Sequence, residues 1–151
     1  MCIIFVLLYY NNYVCNENKI KIKQINMNKN VKLKNNDIIT IQLSDTLDEI
    51  IFYKNEDKLD GEFEFKETRD NEYLVTRMYV PENYKRLGLG TEVLKFFKEI
   101  SECEILYTRP NDGIVREDGS HLTEDAPNFV NKMIEENIIN RPKDIEITDY
   151  I

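Results

Sequence analysis

The chain has 151 residues and a formal net charge of −8. That length fits one domain with a core large enough to fold without disulfides, and the acidic balance argues against general nucleic-acid binding, which needs a basic face. Three cysteines without metal-ligand spacing, and a single histidine, predict no disulfide framework and no zinc site. Cys103 is expected to pack as a reduced, small apolar residue, which favours a cytoplasmic location.

The first 26 residues are predicted to lie outside the folded domain. The opening stretch MCIIFVLLYY is about half the length of a membrane span, and it lacks the basic region and cleavage site of a secretory signal. Residues 11–26 are rich in Asn and Lys and show no sustained period. We interpret 1–26 as a disordered or non-native extension and 27–151 as the domain. An extra edge strand and a weak membrane-surface anchor are the alternatives.

Four β-strands are predicted in the first half of this domain. Two are short β-branched runs, and a third, GEFEFKE, alternates strictly and places Phe63 and Phe65 on one face. The sequence KLDG (58–61) is predicted as a hairpin turn, because Asp-Gly accepts positive φ at low cost. The fourth run ends before Pro81, which cannot donate a ladder hydrogen bond. The predicted strands are 37–43, 49–55, 61–67 and 71–80.

The hydrophobic period changes after the fourth strand. Apolar residues recur at helical spacing over 89–100, and EILYT (104–108) again has strand character. Thr123 is predicted to cap a second helix, and the tail 143–151 alternates weakly as a last strand would. This order predicts a right-handed crossover that joins two parallel strands. The fold class is therefore expected to be α+β, with a mostly antiparallel sheet and one parallel pair.

The segment KRLGLG separates the fourth predicted strand from the first predicted helix. Successive N–H groups at a helix start can bind an anion, and Gly88 and Gly90 have no Cβ to keep the anion away. Lys85 and Arg86 add positive charge. We predict phosphate or pyrophosphate binding here, with a simple tight turn as the alternative. A Walker loop does not fit, because the Gly-Lys-Ser/Thr end of its pattern is missing, and the dinucleotide fingerprint does not fit, because its third glycine is replaced by Val93.

The stretch YVPENYKRLGLGTEVL resembles the acetyl-CoA loop of the GCN5-related N-acetyltransferase (GNAT) superfamily. The family pattern is Gln/Arg-x-x-Gly-x-Gly/Ala after a strand and a Pro-containing turn; Lys85 takes the Gln/Arg place, and Gly88 and Gly90 take the glycine places. The resemblance implies a GNAT-like fold with two main helices and acetyl-CoA as co-substrate. Only residues 44–48 separate the first two predicted strands, so the chain resembles reduced members that lack helices there.

The resemblance also implies which residues bind the co-substrate. Backbone N–H groups at the end of the fourth strand would polarise the thioester carbonyl, and those of the following loop would hold the pyrophosphate. The implied residues are Met78, Tyr79 and Val80 for the carbonyl, and Lys85, Arg86, Leu87, Gly88, Leu89, Gly90 and Thr91 for the pyrophosphate.

Proton transfer is the less determined part of the implied mechanism. The tyrosine that protonates the leaving thiolate in many family members is replaced by Val130, in TEDAPNFV. Tyr107 is a candidate substitute acid, and His121 is a candidate base because its ordinary pKa lies near neutrality. Structural packing of Tyr107 and a solvated loop position for His121 are the alternative interpretations.

The acceptor is expected to be an amine of a protein or small molecule. The acidic segment 116–127 would either attract a cationic acceptor or only solubilise a long loop. Because the usual tyrosine is missing, a non-catalytic acyl-CoA-binding or interaction module is the alternative function.

Overall fold

The computed structural model describes residues 13–14, 21–22 and 27–141. The predicted last strand, 143–151, and the apolar stretch 1–10 lie outside the described residues. The elements are β1 Tyr13–Val14, β2 Lys21–Ile22, β3 Asn28–Lys32, β4 Ile38–Leu43, β5 Glu49–Lys54, β6 Asp57–Arg69, β7 Glu72–Tyr79, a 3-10 helix Glu82–Tyr84, α1 Leu89–Ser101, β8 Ile105–Tyr107 and α2 Ala126–Glu135.

The main sheet has six strands in the order β3-β4-β5-β6-β7-β8. Neighbours from β3 to β7 are antiparallel, and β7 pairs with β8 in parallel through Glu72↔Ile105 to Leu74↔Tyr107. The predicted α+β class, with one parallel pair and two helices, is confirmed. Strands β1 and β2 form a separate antiparallel pair.

Strand β3 was not among the predicted strands. Its sequence, NKNVK, is mostly polar, and Val31 is its buried residue. The following Leu33 is also buried, and its N–H donates to the carbonyl of Asp37 to close the turn into β4. The alternation of lysines with Val31 and Leu33 is therefore the signal that indicates this edge strand.

The predicted hairpin turn at 58–61 is wrong, because those residues continue strand β6. The β5–β6 turn is instead formed by Asn55 and Glu56, which both have positive φ, 50° and 73°, and the pair Lys54↔Asp57 closes it. Gly61 is needed for a different reason: a Cβ there would lie 2.6 Å from the Cδ atom of Pro81.

One face of the sheet is covered by α1, whose apolar residues fall at the predicted spacing. The ring of Phe97 stacks on Phe65 with centroids 3.7 Å apart and meets Tyr73 edge-on at 5.1 Å. Phe97 is fully buried, and burying such a side chain contributes roughly 1.5–3 kcal/mol. The helix ends at Ser101, and its C-cap, Glu102, is a non-glycine residue in the left-handed conformation.

The second helix begins at Ala126, and Thr123 does not cap it. Asp125 occupies the N-cap position without a side-chain hydrogen bond, while the carbonyl of Thr123 accepts the Ala126 N–H in a turn. The helix buries Val130 and Met133. Within the described ranges, neither helix is long and apolar enough to cross a membrane.

Candidate functional site

The chain leaves β7 through a tight turn that leads into α1. The N–H of Tyr84 donates to the carbonyl of Pro81 at 2.8 Å, and that of Lys85 donates to Glu82 at 3.3 Å. Arg86 and Gly88 then adopt positive φ, 62° and 96°. Two left-handed residues so close together redirect the main chain before the helix begins.

The main-chain N–H groups of residues 86–91 make no well-formed hydrogen bond to an acceptor in the described part of the chain, although residues 85–88 form a turn. The last N–H bonded before them belongs to Lys85, and the next belongs to Glu92, which donates to the carbonyl of Gly88 at 3.2 Å. Gly88 is the N-cap of α1 and provides no side-chain cap. Six consecutive donors at the positive end of a helix dipole favour an anion. We call residues 86–91 the amide loop.

The two glycines of this loop have different structural roles. At Gly88 the left-handed φ requires glycine, and a Cβ would meet no atom within 4 Å, so this side of the loop is open. At Gly90 a Cβ would lie 3.0 Å from Cζ of Phe129 and 3.5 Å from Cζ of Phe63. Gly90 therefore also makes room for the Phe129 ring of α2, and its expected part in anion binding stays a prediction.

Both predicted basic residues lie next to carboxylates. Lys85 Nζ is 2.7 Å from Glu82 Oε2, and this hydrogen bond raises the pKa of Lys85. Arg86 reaches Asp125 at 3.5 Å with an 85% exposed side chain. An exposed pair of this kind is weak, so the guanidinium remains able to turn toward an anion on the loop.

The end of β7 has one open edge beside the amide loop. Parallel pairing with β8 stops at Leu74↔Tyr107, whereas pairing with β6 continues to Tyr79. Among the described strands, residues 76–79 therefore have a partner on one side only. Successive N–H groups of a strand point to opposite sides, so some N–H groups of the Met78–Val80 segment face away from β6.

The structure does not bring Tyr107 to this open edge. Its hydroxyl donates to Thr68 Oγ1 at 3.2 Å, and Thr68 lies near the β6–β7 turn. Tyr107 pairs with Leu74 of β7. Leu74 precedes Met78 by four residues, which places Tyr107 roughly 13 Å from Met78 along the strand direction.

His121 lies in the loop between β8 and α2 and is half-buried. Its Nδ1 accepts the N–H of Arg116 at 3.5 Å. In the described part of the chain, no three metal-ligating side chains converge.

The acidic residues of this loop are partly engaged in holding its shape. Asp118 accepts hydrogen bonds from the hydroxyl and N–H of Ser120 at 2.6 and 3.0 Å, which lower the pKa of Asp118. Arg116 binds Asp112 at 2.7 Å in the same way. Glu117 is exposed as well, but it has no hydrogen bond or ion pair within the described residues, so it is the side chain better suited to meet a cation.

A cleft of about 490 Å³ adjoins the amide loop and was not predicted from the sequence. Edge strand β3, the first turn of α1 and the end of α2 form its walls. Its charged and loop residues are Lys29, Lys32, Lys34, Lys132, Glu92, Glu136, Leu87, Gly88 and Thr91. The signal was the alternation of Lys32 and Lys34 with Val31 and Leu33, which indicates a cleft only when β3 is placed beside α1.

Comparisons with known proteins give no relative from which a role can be transferred. No protein-family model matches this sequence, and neither the curated proteins nor the solved structures include a detectable match.

Proposed function

We propose that the chain is an acetyl-CoA-dependent N-acetyltransferase. The observation that carries the proposal is the amide loop: the N–H groups of residues 86–91, which run from the turn after β7 into the first turn of α1, make no well-formed hydrogen bond within residues 27–141. The loop connects two parallel strands through a helix, as its resemblance to the GNAT acetyl-CoA loop requires. A diphosphate would be held there by main-chain donors and by Arg86.

The reaction is the direct attack of a neutral amine on the thioester carbonyl carbon. A C–N bond forms, the C–S bond breaks, and the sulfur leaves as a thiolate while the amine nitrogen loses a proton. The open edge of β7 at Met78–Val80 would donate N–H groups to the carbonyl oxygen as negative charge develops there. Fixing both reactants beside this edge supplies the positional contribution to the rate.

Proton transfer would fall to His121 or water. The family's usual acid position is Val130, a core residue that is 4% exposed, and the hydroxyl of Tyr107 is directed to Thr68. This arrangement favours a second candidate function, in which the chain binds acyl-CoA without turning it over. The two candidates share the amide loop and differ only in catalysis.

Binding and turnover are tested separately. Titration calorimetry with acetyl-CoA and CoA measures binding, and thiol release against a panel of monoamines, polyamines and lysine peptides measures transfer. Binding with amine-dependent thiol release supports the transferase. Binding without release supports the acyl-CoA module, and the absence of binding would overturn both.

The variant Gly88→Ala tests the amide loop itself. A Cβ at φ 96° strains the turn by about 1 kcal/mol and shields the open side of the loop, so we expect acetyl-CoA affinity to fall about tenfold. Gly113→Ala is the matched control, because Gly113 also has positive φ, 73°, and open space around its Cβ position. Equal affinities in the two variants would contradict the assignment.

A further inference from the structure

The cleft beside the amide loop concentrates positive charge in an acidic protein. Four lysines and two glutamates line it, which leaves a net charge of +2, whereas the whole chain carries −8. The lysines come from two separate segments: Lys29, Lys32 and Lys34 from β3 and the turn that follows it, and Lys132 from α2. A volume of about 490 Å³ lies within the range of small-molecule sites.

Both glutamates of the cleft are already neutralised by lysines. Glu92 lies 3.3 Å from Nζ of Lys29 and 3.9 Å from Nζ of Lys95. Glu136 lies 3.8 Å from Lys132. The carboxylates therefore do not compete for the remaining cations of the cleft.

Lys32 and Lys34 have no ion-pair partner within residues 27–141. The main chain holds Lys34 next to the amide loop, since its N–H donates to the carbonyl of Leu87 at 3.3 Å. The side chains of Val31 and Leu33 are buried, so Lys32 and Lys34, which alternate with them, lie on the opposite face of the chain. No carboxylate of the described residues therefore competes with an external anion for these two ammonium groups.

The cleft is continuous with the amide loop, because Leu87, Gly88 and Thr91 belong to both. A ligand whose diphosphate lies on the loop can therefore extend its nucleotide half along β3. We infer that this cleft binds the 3′-phosphate of the CoA nucleotide through Lys32 and Lys34. The inference rests on the proposed function, and it makes this chain selective for CoA over its 3′-dephospho form.

The test compares CoA with 3′-dephospho-CoA by titration calorimetry on the full chain. Wild type is expected to bind CoA about tenfold more tightly, as two partly screened ammonium–phosphate contacts would provide. In Lys32→Gln/Lys34→Gln this preference should disappear, with the affinity for 3′-dephospho-CoA unchanged. The preference should also shrink as salt is raised, because screening weakens both contacts.

A charge-matched control is Lys58→Gln/Lys66→Gln, since both lysines are exposed on β6 and outside the cleft. This variant changes the net charge equally and should keep the preference for CoA. Equal binding of the two ligands by wild type overturns the inference while the proposed function stands. Loss of the preference in the control as well would also overturn it, and binding of neither ligand overturns both proposals. If the inference is overturned, the lysines of edge strand β3 are explained instead by their ability to block edge-to-edge pairing of sheets.

Discussion

Cys103 shows how burial determines the chemistry of a single side chain. It lies just before β8, is 7% exposed, and its thiol donates to the carbonyl of Ile105 at 3.1 Å. Burial raises the pKa of this thiol from its ordinary value of 9.0 to about 11. Since the thiolate is the reactive form, Cys103 packs as a small apolar group at neutral pH, as its place in the sequence indicated.

The raised pKa of Cys103 predicts a loss of stability in alkaline solution. Above the ordinary pKa of 9.0 the unfolded chain releases the thiol proton, while the folded chain keeps it until about pH 11. The unfolded state is therefore favoured progressively between these values. Urea unfolding across this range should show a steeper decline for wild type than for Cys103→Ala. The pKa of Tyr73 is also raised by burial, but Tyr73 is present in both proteins and contributes to the decline of both. If the free energy of unfolding falls equally with pH in the two proteins, the prediction is contradicted.

Some site residues could be identified from local sequence and others could not. A tight turn at the glycines was one of the two interpretations of the local sequence, and Gly88 adopts the positive φ, 96°, that such a turn uses. The role of Gly90 depends on Phe129, which is remote in sequence. The direction of the Tyr107 hydroxyl likewise depends on Thr68 of another strand. Side-chain roles fixed by distant partners are outside the reach of a single sequence.

The β5–β6 hairpin shows the same limit for secondary structure. Asn55 and Glu56 form a two-residue turn with positive φ at both positions, a geometry in which Asn-Gly is the preferred pair. Asp60-Gly61 carries the stronger local signal, yet it lies within β6 because Pro81 packs against Gly61. Tertiary packing overrode the local turn preference.

The turn geometry predicts that Glu56→Gly stabilises the protein. Glu56 has φ 73°, where a Cβ is strained and glycine is not, so we expect the free energy of unfolding to rise by about 0.5–1 kcal/mol. Urea denaturation followed by circular dichroism measures the change. Asp57→Gly is the control, since a glycine within β6 should lower stability. A decrease in Glu56→Gly would show that the turn does not need the left-handed conformation.

Helix α1 and strands β4 to β7 were predictable because each has a sustained hydrophobic period. Strand β3 was missed because only Val31 of its five residues is buried. The start of α2 was misplaced because Thr123 has the side chain of a good cap but contributes only its carbonyl to a turn. Element type therefore followed from periodicity, whereas short strands and helix starts depended on contacts.

The candidate site exists because the sheet curls and brings its first strand close to α1. Edge strand β3 approaches the start of α1, although α1 connects β7 and β8, which lie at the other end of the strand order. Lys29 bonds Glu92, sixty-three residues later, at 3.3 Å, and Lys34 bonds Leu87. The cleft beside the amide loop could not be predicted from the sequence, because its walls come from three segments that are distant in sequence.

The same architecture predicts that residues 27–151 fold without the preceding 26. The main sheet begins with β3 at Asn28, and the carbonyl of the preceding Met27 accepts the N–H of Leu43 at 2.9 Å. Strands β1 and β2 form ladder pairs only with each other. A chain that starts at Met27 should unfold cooperatively in urea, with a free energy of unfolding within about 1 kcal/mol of the full chain.

A chain that starts at Lys34 is the control for this boundary. It lacks β3 and the buried side chains of Val31 and Leu33, and it exposes β4 as a new edge strand. Losing two buried aliphatic residues costs about 3–6 kcal/mol, a large part of the stability of a domain of this size, so this chain should lose its cooperative transition. If the chain that starts at Met27 loses it too, the domain begins earlier than β3, and residues 1–26 contribute to the core.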